Sequence, residues 1–284
     1  MILIADGGST KVDWIVLDNS GEVEMKTRTL GLNPAVLSVQ SLIERITDNE
    51  DLKKYADKVT NIYFYGAGCG TPKPTLALKK VFEDYFVNAK AVVKEDTYAA
   101  TYAATTEPGI ICILGTGSNS SYFDGSDVHT TVPSLGYTLM DEASGNYFGK
   151  KLIRDYFYKK MPEHLRQEFA NKFDLNADSV KENIYKKENP NAYLARFAEF
   201  IFRNERNDYF NSVLKKGMKD FFKNRIKTYD NHQEVPVHFV GSIAYFSSDI
   251  IYKMAKKYNV TIGNIVRRPI DGLIEYHQNL LEKV

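Results

Sequence analysis

The feature that most constrains this chain occurs twice. Residues 2–5 (ILIA) form a short apolar run that ends in Asp6-Gly7-Gly8-Ser9-Thr10, and residues 12–18 (VDWIVLD) then alternate before Asn19-Ser20-Gly21. This spacing predicts a buried strand, a glycine turn and a second strand, making a β-hairpin with a polar tip. About 109 residues later the plan returns, where Gly109-Ile110-Ile111-Cys112-Ile113-Leu114 runs into Gly115-Thr116-Gly117-Ser118-Asn119 and then Ser120 to Gly125. Two such hairpins, one at the start and one near the middle, predict a duplicated fold.

The segments around the hairpins fix the class. Residues 37–58 are helix-like, 59–67 read as a strand ending in glycines, 75–86 as a helix, 91–93 as a strand and the alanine-rich 97–105 as a helix. Strands alternating with helices predict an α/β protein. From about 143 to 229 only helical patches are found, rich in Lys, Glu and Phe, so this stretch reads as a helical insertion. The α/β pattern resumes with a strand at 235–240, a helix over 243–257, a strand near 260–266 and an amphipathic last helix at about 270–283. Length points to two units, which we place at 1–106 and 107–284, with the last helix docking on the body.

Composition removes several function classes. Lys and Arg total 37 against 36 Asp and Glu, so no net field draws the molecule toward nucleic acid or an anionic membrane. No apolar run approaches the ~18 residues of a membrane span. The opening MILIADGG carries no basic segment ahead of a longer apolar stretch, and Cys69 and Cys112 form no CxxC pair. A reducing, cytoplasmic location is the expectation. The five His are scattered without metal-ligand spacing, and the Lys/Arg residues of 203–227, interleaved with acids, read as a solvated helix face.

The hairpin tips carry the chemistry. Asp6-Gly7-Gly8-Ser9-Thr10 places a carboxylate at a strand end, then residues whose backbone N–H groups can approach phosphate oxygens, then hydroxyls. Such an Asp can hold Mg²⁺ through water. Each tip alone is equally an ordinary turn; the pair together reads as two loops that grip a polyphosphate. Neither matches a P-loop or a dinucleotide fingerprint. Asp96 follows a strand and opens a helix, where it can serve as an N-cap or accept the proton of a substrate hydroxyl. Asp141-Glu142 begins the helical insertion, a place that suits helix-start acids or a site carboxylate. Gly241-Ser242 is either a plain strand-to-helix turn or a place where a nucleobase passes close to backbone.

Taken in order, DGGST, Asp96, GTGSN, DEASG at 141–145 and Gly241-Ser242 resemble the five elements of the actin-like ATPase superfamily, which also holds heat-shock chaperones and sugar kinases. More closely, the chain is similar over nearly its full length to the N-acetylglucosamine kinase branch, grouped with BadF/BadG/BcrA/BcrD-type ATPases. The resemblance implies two ribonuclease-H-like lobes around an ATP cleft, the second lobe enlarged by the helical insertion. By position it implies Asp6 as the Mg²⁺ residue, with Gly8, Ser9, Thr10 and Lys11 around the β/γ-phosphates and Thr116 and Gly117 in the second phosphate loop. It further implies Gly241 and Ser242 at the adenosine, Asp96 as the base that activates a sugar 6-hydroxyl, and Asn33 and Asp141 as substrate contacts.

The implied partners are a sugar, ATP and Mg²⁺, with neither nucleic acid nor membrane, and a homodimer is compatible with this. The family commonly shows GWGxLLGDEGSG, whereas Ser134 to Gly145 here read SLGYTLMDEASG, without the Trp and with glycines replaced. That change would narrow a pocket for an N-acetyl group. A kinase with the same machinery and a different pocket, for N-acetylmuramate or glucosamine, stands as an alternative beside N-acetylglucosamine. A relative that binds ATP and senses sugar without transferring phosphate is a further alternative. An Fe–S activase of the same superfamily is disfavoured, because neither cysteine lies in that branch's CAAGTG context.

Overall fold

The first hairpin forms as its pattern dictates, since a strand buried on both faces must be apolar at every position. In the computed structural model, which describes residues 1–8 and 11–282, β1 (Ile2–Gly7) pairs antiparallel with β2 (Lys11–Leu17) and sets Asp6 opposite Asp13. Ser9 and Thr10 lie outside the described residues. A third strand, β3 (Val23–Leu30), extends the meander, while β4 (Asn61–Gly66) and β5 (Lys90–Glu95) run parallel to β1, giving the order β3-β2-β1-β4-β5. The sequence pattern gives no sign of β3: it is an edge strand of mostly polar residues with only Thr29 buried.

One face of this sheet is covered by α1 (Val39–Thr47), α2 (Glu50–Lys53) and α3 (Pro72–Tyr85). The single helical run expected over 37–58 is broken at Asn49, whose Oδ1 accepts from the backbone N–H groups of Asp51 at 3.1 Å and Leu52 at 2.9 Å and so starts a new helix. Trp14 anchors this core: it is fully buried, edge-on to Phe82 at 5.9 Å, and its indole N–H donates to Thr29 Oγ1 at 2.9 Å, which removes the cost of burying a polar group. The other face packs Ile2, Ile4 and Ile15 against α4 (Asp96–Ala104) and the C-terminal helix (Pro269–Leu281).

A second sheet repeats the plan. It comprises β6 (Gly109–Leu114), β7 (Ser118–Phe123), β8 (Val128–His129), β9 (Val237–Val240) and β10 (Ile262–Val266), in the order β10-β9-β6-β7-β8. The antiparallel and parallel pairings match those of the first sheet, strand for strand. The chain accordingly divides into Met1–Ala103 with Arg268–Val284, and Ala104–Arg267. The C-terminal helix falls in the first unit because Ile270 and Leu273 are buried there beside Ile2 and Ile4.

Between β8 and β9 lie α5 (Gly145–Phe157), α6 (Glu163–Lys172), α7 (Ala177–Tyr185), α8 (Pro190–Phe197), α9 (Glu199–Arg203) and α10 (Asp208–Phe221). A wide π-type turn follows at Phe222–Ile226. Their core is a cluster of phenylalanines, with Phe148, Phe169, Phe197, Phe200 and Phe210 buried. One expectation fails here: Arg225 is not on a solvated face but buried, donating to Val132 O at 3.0 Å and to Met140 Sδ at 3.3 Å. The π turn directs it inward, a geometry that charge spacing alone does not reveal. After β9 the expected single helix divides into α11 (Ser242–Phe246) and α12 (Ser248–Tyr258). Among the described residues no helix is long and apolar enough to cross a membrane.

Helices α5 and α8 touch through backbone at Gly149, where an added Cβ would stand 1.8 Å from Leu194 O. Because a packed core resists such overfilling, Gly149→Ala should destabilise the second unit by about 1–3 kcal/mol or more. Urea unfolding followed by circular dichroism reads this as a lowered midpoint; an unchanged midpoint contradicts the packing described.

Candidate functional site

In the first unit the site grows from strand ends. β1, β4 and β5 are parallel, and the C-terminal end of such strands is where ligands gather in α/β sheets. Asp6 lies at that end of β1, and Asp96 follows β5 directly as the first residue of α4. Burial, then the negative charges of Asp13 and Asp96, raise the Asp6 carboxyl from 3.8 to about 7 despite the opposing charge of Lys11. Asp96 rises to about 6, through burial and then Glu95, although backbone N–H groups at the start of α4 counter the shift. Asp96 therefore opens the helix where the sequence pattern puts it, with its carboxyl above the ordinary value.

The nearby cations are committed elsewhere. Lys11 Nζ meets Asp13 Oδ2 at 2.8 Å and Arg28 Nε meets Asp13 Oδ1 at 2.7 Å. Burial would raise Asp13, but these two partners together hold it below its ordinary value. Asp6 is thus a partly buried carboxylate among like charges, a setting that favours a divalent cation. Among the described residues no three His, Cys, Asp or Glu side chains are grouped closely enough to hold a metal alone. A single carboxylate of this kind would fit Mg²⁺ held through water.

The hairpin turn is closed by Gly8 N–H donating to Lys11 O at 2.8 Å. Asn33 Oδ1 accepts from Ala35 N–H at 3.0 Å and lies against Gly68, while Gly70 lies against the Glu95 carboxylate. The 68–70 loop therefore connects Asn33 with the corner that carries Asp96. Cys69 in that loop is buried, and burial followed by the charges of Asp96 and Glu95 pushes its thiol up to about 12, so it stays protonated. Cys112 is likewise free and buried, in the other unit.

In the second unit the tip of the β6–β7 hairpin is fastened to the start of α5. Gly145 N–H donates to Gly115 O at 2.8 Å and Asn146 N–H to Thr116 O at 3.0 Å. Asp141, at φ 71°, turns its side chain inward: Oδ1 accepts from Ser118 N–H at 3.2 Å and Oδ2 from Asn146 Nδ2 at 2.7 Å, beside Gly117. Asn146 Nδ2 also donates to Thr116 O at 2.8 Å. Sequence reasoning singled out Asp141 and passed over Asn146, which is fully buried and acts as the clasp of the loop. The only sequence signal for it was its place directly after the helix-opening Ser144-Gly145.

Thr116 and Gly115 then floor a cavity of about 520 Å³. Ser242 lines it from the start of α11, and Arg196, Arg203 and Arg267 outnumber Glu199 on its walls. Phe246 presents a ring with Arg267 stacked above it at 5.0 Å and Phe202 5.9 Å away. The arrangement suits a flat ring carrying negative charge. Gly241, at φ 121°, allows the chain to turn there, because an added Cβ would sit 2.3 Å from Leu114 O. The structure thus joins Thr116, Gly117 and Asp141 in one loop system and brings Thr116 and Ser242 to one cavity.

The raised Asp6 has a measurable consequence. A carboxyl whose folded pKa lies above its unfolded value stabilises fully below about 3.8 and loses that contribution as the pH rises through about 7. In the metal-free protein, Asp6→Asn should therefore raise stability at pH 8 by on the order of 2 kcal/mol and leave it nearly unchanged at pH 4. Chemical denaturation of both proteins at the two pH values checks this; an equal effect at both contradicts the strain assigned to Asp6.

A scan against protein-family profiles finds no match, and neither does a comparison with curated proteins. Solved structures do match. A candidate N-acetylglucosamine kinase from Porphyromonas gingivalis superposes with a TM-score of 0.91 at 33% identity, covering 98% of this chain and 99% of that one. A candidate N-acetylglucosamine kinase from Chromobacterium violaceum gives 0.73 at 15% identity over 97% and 98%. A ROK family glucokinase from Streptomyces griseus, in complex with glucose and AMPPNP, gives 0.60 at 13% identity over 99% and 100%. The latter two show the shared fold, and the first shows kinship over the whole length. With its two matching sheets and its helical insertion, the chain belongs to the N-acetylglucosamine kinase-like family of actin-like ATPases.

Proposed function

We propose that this protein is an ATP-dependent sugar kinase that transfers the γ-phosphate to the 6-hydroxyl of an amino sugar, with N-acetylglucosamine as the first candidate. The observation that carries this reading is Asp96: a carboxylate at the C-terminal end of β5, joined through the 68–70 loop to Asn33, with a pKa lifted to about 6. A base poised near neutral pH accepts a hydroxyl proton more readily than an ordinary Asp while remaining ionised at pH 7.

In this reading Asn33 orients the sugar and Asp96 takes the proton as the hydroxyl oxygen forms its bond to phosphorus and ADP departs. Asp6 holds the Mg²⁺ water shell, and the ion, when bound, neutralises charge on the phosphates. Gly8, Lys11 and the 115–117 loop contact phosphate groups, and Asp141 serves by holding that loop in shape. Because Lys11 rests on Asp13, a phosphate would compete with that carboxylate for its ammonium. The 520 Å³ cavity receives the nucleoside, with the base against Phe246 and Arg267 and Gly241-Ser242 close by. The alternative within this reading is glucosamine or N-acetylmuramate, taken by the same machinery with a different pocket. Two free, buried cysteines suit the cytoplasm.

Asp96→Asn should keep nucleotide affinity within a few-fold and lower sugar-dependent ADP release by roughly 10²–10⁴. In the unmodified enzyme the rate should fall about tenfold per unit as the pH drops below about 6, because the base is then protonated. Coupled ADP assays across pH on both proteins test this. Undiminished turnover in Asp96→Asn would remove Asp96 as the base.

A further inference from the structure

The helical insertion holds a second and larger cavity, of about 690 Å³, walled by α5, the 138–142 segment, the turn after α5 and part of α10. Five cationic side chains line it against three carboxylates. Two cations are neutralised on the spot, Lys151 by Asp155 and Lys216 by Asp220 at 3.1 Å. The other three line the cavity without an ion pair to a carboxylate among the described residues. Lys150 donates to the carbonyl of Tyr137, Lys160 lies 5.6 Å above the Tyr158 ring, and the exposed Arg154 guanidinium makes no hydrogen bond or ion pair among the described residues. Burial holds the Lys150 ammonium below its ordinary value, with the charge of Arg154 adding to that and the carboxylates of Asp141 and Glu142 opposing it.

The same cavity has an unsatisfied acceptor. Glu142 Oε1 accepts from Asn224 Nδ2 at 3.0 Å, while Glu142 Oε2 is buried with no hydrogen-bond partner. A buried carboxylate oxygen in that state calls for a donor. An anion would pair with the three cations that line the cavity without an ion pair, and hydroxyl groups would complete Glu142. One ligand class brings both.

We propose that this cavity is a binding site for a phosphorylated sugar, its phosphate on Arg154, Lys150 and Lys160 and its hydroxyls donating to Glu142. The site is separate from the nucleotide cavity, which none of these four residues lines. Its position is suited to feedback, because Glu142 follows Asp141, whose carboxylate holds the Gly115–Ser118 loop. That ligand class is what the proposed reaction produces, so the biological sense of the site rests on the kinase reading, while its binding chemistry does not.

Calorimetry on the full chain saturated with AMPPNP and N-acetylglucosamine tests it, with N-acetylglucosamine 6-phosphate and inorganic phosphate as separate titrants. The expected result is one-to-one binding of the sugar phosphate, weakened at least tenfold by Arg154→Gln, with inorganic phosphate binding more weakly. Glu142→Gln should weaken the sugar phosphate and leave inorganic phosphate within about threefold. Because Arg154 is exposed and unbonded, its variant retains the fold, and Lys160→Gln gives a second reading. Absence of binding, or an affinity that survives Arg154→Gln, overturns the proposal. Failure of the kinase reading looks different: no phosphorylated sugar forms in the activity assay, while this titration still responds to Arg154.

Discussion

The first unit is organised around a repulsion it does not resolve. Asp6 and Asp96 stand at the ends of strands in one sheet, partly buried, with Asp13 opposite Asp6 in the hairpin register. Lys11 and Arg28 could have neutralised the group, yet both are fixed on Asp13. Removing ionised carboxylates from water without a partner is costly, and proteins keep such arrangements chiefly where a ligand supplies the missing charge. The fold tolerates it because the neighbouring packing is complete. Trp14 and its rings fill one face of the sheet, and the C-terminal helix seals the other.

The second unit solves a different problem, that of presenting backbone groups of a short loop in a fixed shape. Gly115 to Gly117 have no side chains of their own to hold them, apart from the exposed Thr116. The start of α5 does it instead, through two backbone N–H groups and the shared clasp of Asp141 and Asn146. Arg225, reaching from the π turn to Val132 O and Met140 Sδ, steadies the segment that leads into Asp141. Residues far apart in the chain thus converge on three small ones. Such preorganisation is what a loop requires if it is to meet phosphate oxygens without first ordering itself.

Much of this was legible in the sequence, and the limits were physical. Both hairpins were readable because their strands are buried on two faces and end in glycine, and the α/β alternation followed from period and length. β3 escaped notice because an edge strand satisfies no alternation that burial would enforce. The inward turn of Arg225 is set by tertiary contact, through its bonds to Val132 O and Met140 Sδ. Asp96 was visible as a candidate base and as a cap, and the structure makes it the first residue of α4 with its carboxyl raised by burial. Asp141 was visible as an acid near the site, but that its oxygens face Ser118 and Asn146 depends on a left-handed backbone angle that Asp adopts without any sequence signal.

The central claim is that a sugar hydroxyl, and not water, is the acceptor of the γ-phosphate. It is tested most directly by identifying the product: purified protein, MgATP and each of a panel of amino and neutral sugars, with the reaction mixtures analysed by phosphorus NMR and mass spectrometry. The account predicts a sugar 6-phosphate formed in equal amount to ADP, with an amino sugar preferred. ADP accompanied only by inorganic phosphate, for every sugar, would contradict it.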